Sequence, residues 1–553
     1  MQMKRNVIFK LIAFTLLAAL MLQCTACDIF NFGGSPEPLP DVNILTPPPG
    51  SIIQQPNSSG DPVYVVTRNG YSVSTSNALA TAIAADVLES GGNAVEATIA
   101  AAYALGVVEP YGSGIGGGGG MTIYDPVKNE YKFLDYLSEA PRSGSTNKYI
   151  GVPGFVSGMQ TAYDMYGGNK TMAELIQPAI DYAEKGFDVD ADLLYRIKNA
   201  RNKFSSSNTP YSYVQNVNDN LRQPELAEVL KAIANEGSAV LYSGWIAQEI
   251  AQASGMRLSD LSGYETQVSD AVTGEYNGYT IASASAPFSG ITLIQILKLC
   301  EILELPNPTE NPKGYLETLT NVIMACESDR VKKLCDPRFD SKTRDYQAMV
   351  TNDYVCELLN LDYSDFEQDD EGQDTTHISV VDTNGMAVAC TNTLTQFFGS
   401  KLYVHGVFLN NALRNFGKGL NDYEPGKRTR TYMCPTILRK DNGETLAIGT
   451  PGGTVILSVM TTVITDNTLF GTDLQDAINK RRIVVKTLKS LYYEDGFTQY
   501  PMVVDPQGLG YYTVAQSLDA YFGSINAAGF STTRGFYSTA DLRRLGSGRA
   551  VNN

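Results

Sequence analysis

Two adjacent threonines, Thr375 and Thr376, close an acid-rich stretch and open a run of alternating apolar residues. The stretch, 362–374, holds Asp362, Asp365, Glu367, Asp369, Asp370, Glu371 and Asp374, a composition that predicts an exposed, mobile linker. A threonine hydroxyl at such a junction can attack the carbonyl that precedes it. Hydrolysis of the resulting ester frees an α-amine on the same residue, and an amine with an ordinary pKa of about 7.7–8.0 can serve near neutral pH as base for its own hydroxyl. One residue then supplies both nucleophile and base. The plain alternative is a pair of β-branched strand residues with no chemistry.

Several elements are needed to hold such a residue. Residues 375–382 and 386–393 alternate around Thr383-Asn384-Gly385, and an Asn-Gly pair between alternating runs predicts a β-hairpin. Strands are also predicted at 436–438 and 445–448, after which Gly449-Thr450-Pro451-Gly452-Gly453 leads into an apolar helical stretch, 455–463. Upstream, Leu79, Ile83 and Val87 recur at spacing four and Gly91-Gly92 supplies the stop. Asn93 and Glu96 have capping-box spacing for a second helix, whose small-residue run 97–104 predicts close packing on all sides. The glycine-rich run 112–120 follows that helix and enters a strand, the reverse of a phosphate-binding loop, so it reads as close backbone packing in a core. Residues 151–361 read as mainly helical scaffold, with segments at 175–185, 223–236 and 292–304.

Taken in order, these blocks resemble the gamma-glutamyltransferase family from Val65 to Ala550. The resemblance is carried by Ser90-Gly91-Gly92-Asn93-Ala94-Val95-Glu96-Ala97, by Ala104-Leu105-Gly106-Val107-Val108-Glu109-Pro110, and by Ser113-Gly114-Ile115-Gly116-Gly117-Gly118-Gly119. Val152-Pro153-Gly154, Leu175-Ile176-Gln177-Pro178-Ala179-Ile180, Asp336-Pro337-Arg338-Phe339, Thr375-Thr376-His377-Ile378-Ser379-Val380-Val381-Asp382 and Ala540-Asp541-Leu542-Arg543-Arg544 extend it. It implies an α+β, N-terminal nucleophile hydrolase fold: a four-layer αββα sandwich with two stacked antiparallel sheets. It also implies cleavage between Asp374 and Thr375, giving a large region 63–374 and a small catalytic subunit 375–553 that stay associated. By position Thr375 is the nucleophile and Thr393 the threonine whose hydroxyl assists it. Gly452 and Gly453 match the glycines whose backbone N–H groups form the oxyanion hole, where the lack of a Cβ permits close approach. No cofactor or metal is implied.

The departures gather in the substrate pocket. The arginine that clamps the substrate α-carboxylate in the family falls at Leu137, which carries no charge. The asparagine after the assisting threonine is Thr395, the glutamine and aspartate after Asn-Asn fall at Ala412 and Asn415, and the Ser-Ser pair falls at Thr431 and Tyr432. The lid segment, 417–427, is short, and Arg414 and Arg430 stand beside it as new basic groups. The implied activity is hydrolysis or acyl transfer of a side-chain amide on a small peptide or polymer, of the glutathione hydrolase type, with a divergent pocket. An acylase, a poly-gamma-glutamate depolymerase of the same fold and an inactive surface-binding relative are the alternatives.

The bulk properties fit an exported enzyme. The 553 residues are 43% hydrophobic, enough for a large core, and carry a formal charge of −17, which excludes nucleic acid as a partner of the body. Lys4, Arg5 and Lys10 precede an apolar run 11–22, too short to span a bilayer, so residues 1–26 read as an export signal. Ala26-Cys27 resembles the lipid-accepting site of a bacterial lipoprotein, with Cys24 nearby and simple secretion as the alternative. The Pro/Gly/Ser-rich residues 27–62 read as a tether. His377 and His405, the only histidines, are too few for a His/Cys metal site.

Overall fold

A strand buried on both faces packs one face against one layer and the other against a second. That is the environment the computed structural model gives the Thr375 strand. It describes residues 52–53, 64–65, 70–144, 146–361, 374–495, 505–516 and 519–552. The expected signal 1–26, Cys24, Cys27, nearly all of the tether and the acid-rich residues ahead of Asp374 lie outside the described residues. The body is the unit Val65–Asn553.

Two antiparallel sheets form its centre. The strands in chain order are β1 (Gly70–Thr75), β2 (Gly118–Asp125), β3 (Glu130–Tyr136), β4 (Gln267–Asp270), β5 (Val272–Tyr276), β6 (Tyr279–Ser283), β7 (Asp374–Val381), β8 (Ala387–Thr395), β9 (Thr436–Arg439), β10 (Thr445–Gly449), β11 (Asn526–Ser531), β12 (Gly535–Ser538) and β13 (Ser547–Asn552). The first sheet runs β13-β1-β7-β8-β2-β3-β4 and the second β12-β11-β10-β9-β6-β5. The hairpin predicted at the Asn-Gly turn is β7–β8, with Gly385 at φ 86°. Helices α1 (Ala78–Glu89) and α2 (Ala94–Val108) cover the first sheet, and α3 (Gly290–Ile302) the second, with α4 (Pro312–Lys333) and α5 (Ile456–Thr468) packed against α3. The result is the αββα sandwich expected from the sequence.

Strand parity explains how three apolar clusters separate four layers. Ile378, Val380, Val388 and Cys390 point into the cluster under α1 and α2, whereas Val381, Ala387 and Ala389 point between the sheets to Ile437 and Ala447. The second sheet meets its helices in a third cluster built on Ile281, Leu293, Leu438 and Leu457.

The motifs acquire structural meaning here. Asn93 and Glu96 form the expected capping box, and α2 is buried almost throughout. Side chains at Gly117 and Gly119 would collide with the carbonyls of Thr393 and Thr391, so the glycine run is close packing of β2 on β8. The mainly helical reading of 151–361 misses β4, β5 and β6. Asn277 and Gly278, at φ 45° and 73°, make the β5–β6 turn from the same dipeptide signal that marks β7–β8. Among the described residues no helix is long and apolar enough to cross a membrane.

Candidate active site

Thr375 lies near the start of β7, on the face that looks between the sheets, and it is buried. Register brings it opposite Thr393 on β8, but Asp374 pairs with Thr395, so Leu394 is an extra residue bulged out beside the Asp374–Thr375 bond. Leu394 turns its N–H to the Gly112 carbonyl (3.0 Å). Bulges re-aim neighbouring side chains, and this one falls at the bond whose cleavage the sequence implies. Thr395, a β-branched residue held at φ 83°, donates its N–H to Thr393 Oγ1 at 2.7 Å and so fixes that hydroxyl.

From the second sheet, β10 ends at Gly449 and the chain turns through Gly452 (φ 141°) and Gly453 (φ 58°) into α5. Both conformations favour glycine, and a Cβ at Gly452 would meet Val455. The first N–H groups of a helix have no partner within it, so this turn presents backbone donors where the two sheets end together.

One narrow cavity, with about 10 Å³ of free volume, joins these parts. Thr375, Thr393, Thr395, Asn415, Thr431 and Gly453 line it, together with Leu137, Ser138, Ala412, Thr429, Met433 and Ile456. Gly452 adjoins it in sequence without lining it. None of the lining side chains carries a charge.

Two of the expected pocket residues point elsewhere. Arg430 is buried with Nη1 donating to the carbonyls of Val331 (2.9 Å) and Leu334 (3.2 Å) at the end of α4. Tyr432 is fully buried, its hydroxyl on Glu327 (3.2 Å) and its ring 3.6 Å from the Arg330 guanidinium. The reason is parity. In the extended segment 428–433, Thr429, Thr431 and Met433 face the cavity, and Arg428, Arg430 and Tyr432 must face away.

Arg414 takes a different position. The 3₁₀ turn Ala412–Asn415 brings residues three apart onto one face, so Ala412 and Asn415 line the cavity while Leu413 and Arg414 line an open cleft of about 670 Å³. Tyr149, Phe416 and Tyr423 complete that cleft. Arg414 is exposed, stands 5.8 Å from the Tyr149 ring, and has no carboxylate partner among the described residues. A groove of about 540 Å³ between α1 and the helix Met172–Lys185 holds none of this chemistry.

Buried ion pairs stiffen the cavity wall. Arg428 pairs with Asp135 (3.0 Å), and Arg338 with Glu139 (2.8 Å) and Asp336 (2.6 Å). Asp336 also accepts the Arg428 N–H (2.9 Å), and Asp135 the Leu137 N–H (2.9 Å). This network ties Asp336-Pro337-Arg338-Phe339 to both cavity-lining segments. The sequence reading missed it, as it missed Ser138 and Thr429. The parity of an extended segment around Thr431 was the available signal for Thr429.

On the other face of β7, Thr376 Oγ1 meets Ser76 Oγ (2.6 Å) and Glu109 Oε2 (3.1 Å), and burial pushes the Glu109 carboxyl up to about 7. Between the sheets, His377 contacts Thr391 (2.8 Å) and Ser379 (3.0 Å), and burial pushes its ring down to about 3.

A family model described as Gamma-glutamyltranspeptidase matches residues 80–551. The chain belongs to the gamma-glutamyltranspeptidase family. It is 41% identical over 438 residues to the capsule biosynthesis protein CapD proenzyme of Bacillus anthracis, covering 78% of this chain and 80% of that one. To the glutathione hydrolase proenzyme of Bacillus subtilis (strain 168) it is 31% identical over 542 residues, covering 87% and 91%. The cephalosporin acylase from Bacillus halodurans superposes with a TM-score of 0.77 at 21% identity, over 94% of this chain and 99% of that chain, and shares the fold. The protein is therefore an enzyme of the gamma-glutamyltranspeptidase family, with an N-terminal nucleophile hydrolase fold.

Proposed function

We propose that Thr375 cuts the chain at Asp374, becomes the N-terminus of the subunit 375–553, and then attacks amide carbonyls in the cavity it lines. The observation that carries this reading is the convergence of Thr375, Thr393 and Gly453 on one cavity beside a bulge at the bond to be cut. The similarity to two proteins named as proenzymes supports it. Thr393 orients the nucleophile. The N–H groups at Gly452 and Gly453 receive the negative charge that develops on the carbonyl oxygen, an interaction worth about 10²–10³ in rate per donor in comparable sites.

The substrate reading follows from charge. A carboxylate entering a cavity lined only by neutral groups sheds water without gaining a charged partner, which costs several kcal/mol. The acyl group therefore enters as a neutral or weakly anchored amide, and Arg414, in the neighbouring cleft, meets the carboxylate of a longer substrate. This favours an extended, carboxylate-bearing amide over glutathione, and the similarity to a capsule biosynthesis protein points the same way. The test compares wild type with Arg414→Ala on gamma-glutamyl anilide and on an oligomeric gamma-glutamyl substrate. The expected result is an about tenfold or larger loss of kcat/KM on the oligomer and little change on the anilide. Equal kcat/KM of the two proteins on the oligomer contradicts the assignment.

We also place the enzyme outside the cell, held to the outer face of a bacterial membrane by a lipid on Cys27 and the tether 27–62. The charged start, short apolar run and Ala26-Cys27 pair support this.

A further inference from the structure

The strand that carries the nucleophile has a second neighbouring strand for only part of its length. β7 pairs with β1 from Ile378 to Val381, and β1 ends at Thr75, opposite Ile378. On that side Thr375, Thr376 and His377 have no strand beside them among the described residues, although β8 continues opposite them on the other side.

Side chains occupy the vacant edge. Asn526 Nδ2 donates to the His377 carbonyl (3.1 Å) and Arg544 Nη1 to the Thr375 carbonyl (3.3 Å). The residue just after β1, Ser76, donates Oγ–H to Glu109 Oε2 at 2.7 Å and lies 2.6 Å from Thr376 Oγ1, which itself reaches the same carboxyl oxygen at 3.1 Å. Glu109 is anchored where α2 ends, its N–H donating to the Leu105 carbonyl (2.7 Å), and Pro110 follows it. A carboxyl group buried this deeply is costly unless it is used. Here it is spent on the second residue of the strand.

The arrangement matters most after cleavage. Thr375 is then a chain end with one strand neighbour, and chain ends fray unless tied down. A rotation of that end moves the Thr375 hydroxyl from the cavity face to the helix face, because successive strand residues point to opposite sides. Resting on the reading of Thr375 as nucleophile, we propose that Glu109 is a positioning residue: with Ser76 it grips the Thr376 hydroxyl in place of the missing strand and so holds Thr375 on the cavity face. Glu109 does not line the cavity and touches no substrate.

The test uses the full-length chain with Glu109→Ala, Glu109→Gln, Thr376→Val and Thr376→Ser. The readouts are the rate of cleavage and steady-state kcat and KM on gamma-glutamyl anilide. Glu109→Ala and Thr376→Val are expected to slow cleavage and lower kcat about tenfold or more, with KM within about twofold, because the nucleophile is misplaced while the cavity is intact. Glu109→Gln and Thr376→Ser keep an oxygen in place and are expected to recover most of both rates. Wild-type cleavage and kcat in Glu109→Ala and Thr376→Val overturn the proposal. So does a Glu109→Gln protein as slow as Glu109→Ala, which would show that the charge and not the grip is needed. If Glu109→Ala does not fold, the Thr376 pair decides by the same criteria. Cleavage of Thr375→Ala would instead overturn the underlying reading, whereas normal Thr375 chemistry with an insensitive Glu109→Ala overturns this inference alone.

Discussion

His377 lies two residues from Thr375 on the same strand face, yet its environment removes it from acid–base chemistry near neutral pH. It is fully buried, it contacts only hydroxyls through its ring nitrogens, and burial pushes its pKa down to about 3. Burial holds the ring neutral well below its ordinary range, so His377 is not a group that titrates near neutral pH. The same shift has a consequence for stability. With an ordinary pKa of 6.5 in the unfolded chain and about 3 when folded, His377 takes up a proton on unfolding between those values. Its contribution is complete above pH 6.5 and is lost as pH falls toward 3, by at most about 1.4 kcal/mol per pH unit. His377→Gln should therefore lose less thermal stability than wild type between pH 7 and pH 4. Parallel melting curves across that range would contradict it. The gathering of Thr375, Thr393 and Gly453 at this end of β7 was legible in the sequence, because their positions follow from the family resemblance. The roles first given to Arg430 and Tyr432 were not, because a position in an extended segment does not reveal its face until one neighbour is fixed.

At the scale of elements, the site depends on how closely β7 and β10 approach. The His377 ring lies where a Cβ on Gly449 would be, so the two sheets meet over this glycine. Gly449→Ala forces the ring or the β10 backbone to move, and overpacking of this kind costs about 1–3 kcal/mol. The expected outcome is a lower melting temperature together with slower cleavage, since Gly452 and Gly453 follow directly on β10. A variant as stable and as quickly cleaved as wild type would show that the sheets are not in contact there. The sequence showed the β7–β8 hairpin, the paired helices α1 and α2, and β9 and β10 through local period and turn chemistry. It did not show β5 and β6, because a helical surrounding of more than a hundred residues outweighed the Asn277-Gly278 turn. The ion-pair network of Asp135, Glu139, Asp336, Arg338 and Arg428 was equally hidden. Its members come from three distant segments, and only the fold brings them together.

At the scale of the whole molecule, we propose a proenzyme tethered by its N-terminal residues. If the tether ends in a lipid, Cys27→Ser should release the enzyme into the medium, and unchanged membrane fractionation of that variant would contradict the anchor. A buried diacylglycerol contributes about 0.8 kcal/mol per methylene, so its loss is easily detected. In the uncut chain the cavity that Thr375 lines has about 10 Å³ of free volume, at the lower limit of what a single water needs. The most direct test of the central claim is the intact mass and N-terminal sequence of the purified protein, wild type beside Thr375→Ala. Wild type is expected to give two associated chains, the smaller beginning Thr375-Thr376-His377, and the variant one inactive chain. A wild-type protein that remains uncut while turning over amides, or a Thr375→Ala protein cut at the same bond, would contradict it.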